Sequence, residues 1–227
     1  VTTPVVILGC SGNCVDILDS MLACNRAAGS ERYRPLGYLD DDPARQGQSL
    51  YGFPVLGPLS MLAELPDPLV ITAIGSSTSF ASKPALLHSL KLPRERFVSV
   101  IHPSAAVSEW AQIGLGCAIF QQATLCAGSR LDDHVVILPG SVVSHDAHIG
   151  DCSILAGGVI VSGFVRVESN CYLGAGSTIR ERLTIGSGSL VGMGSVVVRS
   201  VLPGAVVMGN PARQRPSRAP EIPGGMS

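Results

Sequence analysis

From Val107 to Leu202 an aliphatic residue returns at every sixth position without a break in register. The positions are Val107, Ile113, Ile119, Leu125, Leu131, Ile137, Val143, Ile149, Leu155, Val161, Val167, Leu173, Ile179, Ile185, Val191 and Val197. Four residues after each stands a mostly small side chain, as in Ala111, Cys117, Ala123, Ser129, Ser141, Ala147, Ser153 and Cys171. A hexapeptide unit cannot bury its apolar side alone, so stacked coils have to supply the core, and the period predicts a β-helix solenoid. One aliphatic and one small residue per six suit a triangular coil of three short strands. The aliphatic fills the prism and the small residue permits the corner. Residues eighteen apart then stack, so Ile113, Leu131, Ile149, Val167 and Ile185 are expected to form one internal ladder.

The first hundred residues follow a different rhythm. Pro4 to Gly9 reads as a short buried strand, Gly9-Cys10-Ser11-Gly12-Asn13 as a turn, and Val15 to about Ala28 as a helix. Further strands are expected at Pro35–Leu39, Leu69–Ile74 and Phe97–Ile101, with a helix from about Ser79 to Leu90. Alternation of this kind predicts a small parallel sheet with helices on its faces. Ligands of such a sheet bind at the carboxyl ends of its strands. Three strand ends carry chemistry suited to a nucleotide: the glycine turn with Ser11, Gly12 and Asn13, the Asp40-Asp41 pair, and Gly75. Backbone N–H groups of a glycine turn opening a helix can approach a phosphate closely, and an aspartate can accept from a ribose or a base edge. The turn lacks the full GxGxxG spacing, which argues against a redox dinucleotide. An ordinary tight turn and a solvated acidic loop fit the same residues.

Composition narrows the partners. The 227 residues carry a formal net charge of −1 and no basic stripe, so neither a nucleic acid nor an anionic membrane surface is expected. No apolar stretch approaches the roughly 20 residues a membrane span needs, and the N-terminus does not read as a signal peptide. The seven cysteines form no CxxC pair, and with Cys117 and Cys171 at small inward positions they fit reduced thiols and a cytoplasmic location.

In the coil, chemistry rests on His134, His145 and His148. His145 follows Val143 by two positions, close to a corner, and its neighbour Asp146 can support it as a general base at neutral pH. A surface histidine beside a surface aspartate is the plainer reading. The three histidines do not share the eighteen-residue stack, so no metal site is expected. Arg180-Glu181-Arg182 interrupts the small residues at one corner, either facing an anionic ligand or forming a solvated loop. The end of the chain, Pro216 to Ser227, is rich in Pro, Gly and Ser and carries no repeat.

The order of parts resembles one family over about residues 4 to 213. The resemblance rests on Ile7-Leu8-Gly9-Cys10-Ser11-Gly12, Leu39-Asp40-Asp41-Asp42, Ala73-Ile74-Gly75, and Ile101-His102-Pro103-Ser104-Ala105 entering the coil. Ser144-His145-Asp146-Ala147-His148-Ile149-Gly150 and the closing Gly209-Asn210-Pro211-Ala212-Arg213 complete it. The chain is similar to sugar O/N-acyltransferases of the sialic acid O-acetyltransferase type, a group that includes the nucleotide-linked amino-sugar N-acetyltransferases of bacillosamine and perosamine synthesis.

The resemblance implies an α/β, Rossmann-like nucleotide-sugar-binding domain over 1–104, a left-handed parallel β-helix over 105–206 and a tail over 207–227. It implies a homotrimer whose active site lies between subunits, with acetyl-CoA along the coil and no metal. Ser11, Gly12, Asn13, Asp40, Asp41 and Gly75 would then lie near the nucleotide of a UDP- or GDP-linked amino sugar. His145 would be the base, with Asp146 raising its basicity, and Ala175 and Met193 would offer backbone groups to acetyl-CoA. Two positions depart from the pattern: Asn13 replaces a histidine of the nucleotide turn, and Ile154 replaces a second coil histidine that contacts the thioester. Transfer to a hydroxyl acceptor, or a trimeric sugar-nucleotide-binding module without catalysis, are the competing expectations.

Overall fold

The computed structural model describes residues 2–72 and 74–215. Ala73, within one of the quoted motifs, and the tail from Pro216 onward lie outside the described residues.

The N-terminal region holds β1 (Thr3–Leu8), α1 (Gly12–Ala28), β2 (Tyr33–Leu39), β3 (Ser49–Leu50), β4 (Phe53–Gly57) and β5 (Leu69–Thr72) in one sheet of order β3-β4-β2-β1-β5. β1 pairs in parallel with β2 on one side and β5 on the other, and only the β3–β4 hairpin is antiparallel. The chain thus leaves β1 toward one edge and later returns to the opposite one, the topology that opens a crevice beyond the strands' carboxyl ends. α1 starts three residues before the expected Val15 and ends at Gly29, whose left-handed φ of 60° lets its N–H return to Arg26 O. The expected helix from Ser79 is split into a 3₁₀ turn, Phe80–Ser82, and α2 (Lys83–Ser89).

The last strand expected of this sheet is not part of it. Phe97 makes only an isolated bridge with Val70, and β6 (Val100–Ile101) pairs instead with Ala118–Ile119 of the coil. Ser99 explains the change of partner: its Oγ donates to Gly114 O at 2.7 Å and accepts from Cys117 N at 2.9 Å, clipping the chain onto the coil.

The coil itself is a parallel β-helix of two-residue strands, each paired with the strand eighteen residues away. Ile113, Leu131, Ile149, Val167 and Ile185 stack as one ladder, as the period predicts. Several buried serines at the small positions hydrogen-bond to carbonyls, as Ser141 Oγ does to Ala156 O at 2.9 Å and Ser153 Oγ to Glu168 O at 3.0 Å, whereas the buried Ser177 Oγ finds no partner among the described residues.

The three outer faces differ. The first, between Ala106–Val107 and Val196–Val197, turns Ala106, Thr124, Val142, Ile160, Thr178 and Val196 outward, and these residues are exposed or half-buried. The second presents Gln112, Arg130, His148, Arg166 and Thr184. The third presents Val100, Ala118, Val136 and Ile154, which are buried in one cluster with Cys14, Ile17 and Met21 of α1 and with Phe80. The N-terminal region is therefore seated on the third face through α1.

Candidate active site

His145 stands at the corner between the first and second faces, where the strand Val142–Val143 gives way to His148–Ile149. Its side chain is 58% exposed, and Nδ1 lies 3.0 Å from Asp146 Oδ2. Asp146 has φ +57°, with its N–H donating to Ala127 O, so the corner geometry turns the carboxylate back to its neighbour. The ring leans over the next rung. A Cβ on Gly163 would stand 2.6 Å from His145 Cε1, so that position accepts no side chain while the imidazole stays where it is. Phe164 meets the ring edge-on at 5.0 Å. With Nδ1 held by the carboxylate, Nε2 is the nitrogen left to exchange a proton with a substrate.

The second constellation is a cleft of about 700 Å³ at the carboxyl ends of β1, β2 and β5. Ser11, Asp40, Asp41 and Gly75 line it, together with Cys10, Arg45, Ser76 and Ser79. Gly12 and Asn13 lie in the first turn of α1, outside that lining. Asp40 is committed to the fold: Oδ2 accepts from Cys10 N at 2.7 Å and Oδ1 from Asp42 N at 2.9 Å. Arg45 closes the same turn by donating to Cys10 O at 2.8 Å. One oxygen of Asp41 accepts from Leu59 N at 2.8 Å, and no hydrogen bond is made by the other among the described residues. The Cys10 thiol is pushed up to about 11, first by burial and then by the Asp40 carboxylate, so it sits in the cleft as a neutral group.

The remaining sequence candidates fall elsewhere. Ala175 and Met193 occupy the corner between the third and first faces, both exposed, in a column with Gly157, Gly158, Gly176 and Gly194 that leaves the corner without bulk apart from the Met193 side chain. Ile154 is 1% exposed and its Cδ1 fills the space where a Cβ on Gly75 would go, so these two candidates meet as packing between the N-terminal region and the coil. His148 Nε2 pairs with Asp132 at 2.8 Å on the second face, and His134 is packed at the corner between the second and third faces. Among the described residues no three of His, Cys, Asp and Glu gather as metal ligands. Arg182 lies over the Phe164 ring at 4.4 Å. One chain does not bring the cleft, the small-residue corner and His145 together, because each occupies a different side of the prism.

No protein-family model matches the chain. It is 34% identical over 138 residues to the GDP-perosamine N-acetyltransferase of Escherichia coli O157:H7, an alignment covering 59% of this chain and 60% of that protein. The chain thus spans little more than half the length of that curated relative. Among solved structures it resembles PerB from Caulobacter crescentus, in complex with CoA and GDP-perosamine, with a TM-score of 0.80, 30% identity, and coverage of 95% of this chain and 99% of that one. The chain belongs to the hexapeptide-repeat nucleotide-amino-sugar N-acetyltransferases. The acetyltransferase domain of PglB from Neisseria gonorrhoeae FA1090 is similar over its whole length, with a TM-score of 0.82 and 28% identity.

Sequence reasoning missed several features of this hexapeptide-repeat acetyltransferase. Arg45, Ser76 and Ser79 of the cleft carry no motif, although all three lie within five residues of a residue that was singled out. Phe164 and Gly163 could have been found by adding eighteen to His145 and Asp146, which places them on the adjacent rung.

Proposed function

We propose that this chain transfers the acetyl group of acetyl-CoA to the amine of a nucleotide-linked amino sugar, with His145 as general base. The observation that carries the reading is the exposed His145–Asp146 pair, its Nδ1 held at 3.0 Å and its Nε2 free, in a family whose solved member PerB is in complex with CoA and GDP-perosamine. In the reaction, Nε2 takes a proton from the attacking amine, the amine nitrogen bonds to the thioester carbonyl carbon, and the imidazolium returns the proton to the departing thiolate. Asp146 stabilises the charged ring in between. Backbone N–H groups at the coil corners would stabilise the oxyanion, at about 3 kcal/mol per donor.

The placement of the other residues supports a trimer of left-handed coils. The first face is bare, mostly apolar, and bounded by His145 at one corner and by Ala175 and Met193 at the other. Packing three such faces around an axis would set the His145 corner of one subunit against the small-residue corner of the next. Acetyl-CoA would then lie along Ala175 and Met193, close to a base from the neighbouring chain. The cleft with Ser11, Asp41 and Gly75 would hold the nucleotide, helped by the first turn of α1 with Gly12 and Asn13. Asp40 would act by shaping that turn. Ile154, buried against Gly75, would set the seat of the nucleotide domain on the coil and touch acetyl-CoA only through its neighbours. Residues 1–104 would serve as the nucleotide-sugar domain and 105–206 as the acyltransferase coil of a cytoplasmic enzyme. No helix among the described residues is long and apolar enough to cross a membrane.

The test is incubation with acetyl-CoA and a panel of UDP- and GDP-linked 3-amino and 4-amino sugars, following CoA release and product mass. A gain of one acetyl group on an amine supports the proposal and names the nucleotide. Acetylation of a hydroxyl acceptor alone, or no release with any acceptor, overturns it.

A further inference from the structure

We propose that Phe164 and Arg182 are positioning residues for His145, an inference that rests on the acyl-transfer reading. Asp146, Phe164 and Arg182 occupy equivalent positions on successive rungs of one corner, with φ of +57°, +59° and +61°. Left-handed backbone is costly for residues other than Gly, Asn and Asp, and a bulky aromatic is an outlier there. Glycine meets this demand at Gly116, Gly128, Gly140, Gly158 and Gly176, while Gln122, His134, Cys152 and Asn170 meet it without glycine. Phe164 accepts the strain while 45% exposed, so burial in the core does not repay it. Its compensating contacts are the His145 ring edge-on at 5.0 Å and 85°, and the Arg182 guanidinium at 4.4 Å from the ring centroid.

The bond from Nδ1 to Asp146 anchors one ring atom and still leaves the imidazole free to swing about it. Gly163 removes the obstacle on one side, and Phe164 supplies a wall that the ring edge meets. Arg182, attracted to the face of the phenyl ring, fixes that wall in turn. The pair acts through His145, holding Nε2 toward the substrate side, and need not touch substrate. An exposed base held by a single hydrogen bond gains most from such a prop, because small errors in the direction of proton transfer are costly.

The experiment compares the wild type with Phe164→Asn, Phe164→Tyr, Arg182→Gln and Arg182→Lys. Asn favours the left-handed conformation, so Phe164→Asn should melt no lower than the wild type while kcat falls about 10-fold to 50-fold. KM for both substrates should stay within about twofold, Phe164→Tyr should recover most of the rate, and Arg182→Lys should retain more of it than Arg182→Gln. A Phe164→Asn protein with unchanged kcat overturns the proposal. So does a change confined to KM, which would make Phe164 a substrate contact, or loss of the oligomer, which would make it an interface residue. A second readout needs no turnover. In protein labelled at histidine, the His145 ring protons should move on Phe164→Asn as the ring current of the phenyl group is lost, with His148 unmoved as an internal reference. A wild type that acetylates nothing overturns the acyl-transfer reading, and the labelled-histidine signals then decide the ring contact: a shift supports it and none overturns it.

Discussion

His134 and His145 sit at two corners of the same coil in matching cages, and the difference between them lies outside the cage. Each ring lies over a glycine of the adjacent rung, Gly116 for His134 and Gly163 for His145. Each meets a phenylalanine edge-on, Phe97 at 4.5 Å and 89°, Phe164 at 5.0 Å and 85°. His145 has a carboxylate on Nδ1 and solvent around it, whereas His134 has a buried Nδ1 without a partner and the buried Lys83 ammonium bonded to its carbonyl at 2.6 Å. Burial first, and then the Lys83 charge, push the His134 imidazole down to about 4. One packing motif therefore leaves an exposed, carboxylate-held ring at one corner, the ring proposed as the base, and a neutral filler where the N-terminal region covers the other.

Breaking the His145 side should have the largest effect. His145→Ala should lower kcat by about 10³-fold while the oligomer and nucleotide binding persist, since a positioned general base contributes in that range. His134→Asn, at a backbone of φ +60° that Asn tolerates, should leave kcat within about threefold. Steady-state kinetics on the two proteins checks both, and equal losses would collapse the contrast between the corners.

Lys83 sharpens the other side. Its ammonium is fully buried where α2 meets the coil, and burial lowers its pKa to about 8, partly offset by Cys152 and Cys117. Because the folded protein disfavours the charged form, the penalty is fully present below pH 8 and fades as pH rises from there toward the unfolded value of 10.5. Lys83→Met should stabilise the protein by about 2 kcal/mol at pH 7, the desolvation relief exceeding the lost hydrogen bond to the His134 carbonyl. The advantage should shrink between pH 8 and 10. Buried thiols such as Cys117, held near 12, act in the opposite direction in both proteins, so the difference in midpoint is the quantity to follow. Gly163→Ala should then lower kcat about tenfold with little loss of stability, because the added methyl displaces the imidazole at an exposed corner.

Particular residues show how much of this was legible. The six-residue period was enough to predict the Ile113–Ile185 ladder, because inward positions are dictated by one repeated demand. The outward pattern was legible too and went unread: Ala118, Val136 and Ile154 are apolar where Arg130, His148 and Arg166 are polar or charged, which separates the covered third face from the second. The β3–β4 hairpin escaped because its strands are short and its turn, Tyr51-Gly52, uses two left-handed residues of which only one is glycine. At the candidate site, His145 with Asp146 was found from adjacency in sequence. Phe164 and Arg182 were not singled out as its neighbours, since their contacts exist only once the coil has closed. Asp40 looked like a ligand group, yet its two oxygens are spent on Cys10 and Asp42 amides, a commitment that no spacing reveals.

The smallest expected effect tests the His134 cage in acid. A histidine with its folded value lowered to about 4 binds fewer protons in the native state than in the unfolded chain, which titrates near 6.5. The stability it leaves intact above pH 6.5 is therefore lost as pH falls from 6.5 through 4. The ring is only partly enclosed, so solvent screening trims the effect to about 1 kcal/mol. Asp133, whose carboxyl is lowered chiefly by its bond to Arg94, also costs stability in acid, but it is present in both wild type and His134→Asn. Urea midpoints of the two proteins between pH 7 and pH 4 should converge toward acid if His134 enters the fold neutral. Parallel lines would mean that water reaches Nδ1, and the two corners would then differ only by the carboxylate at Asp146.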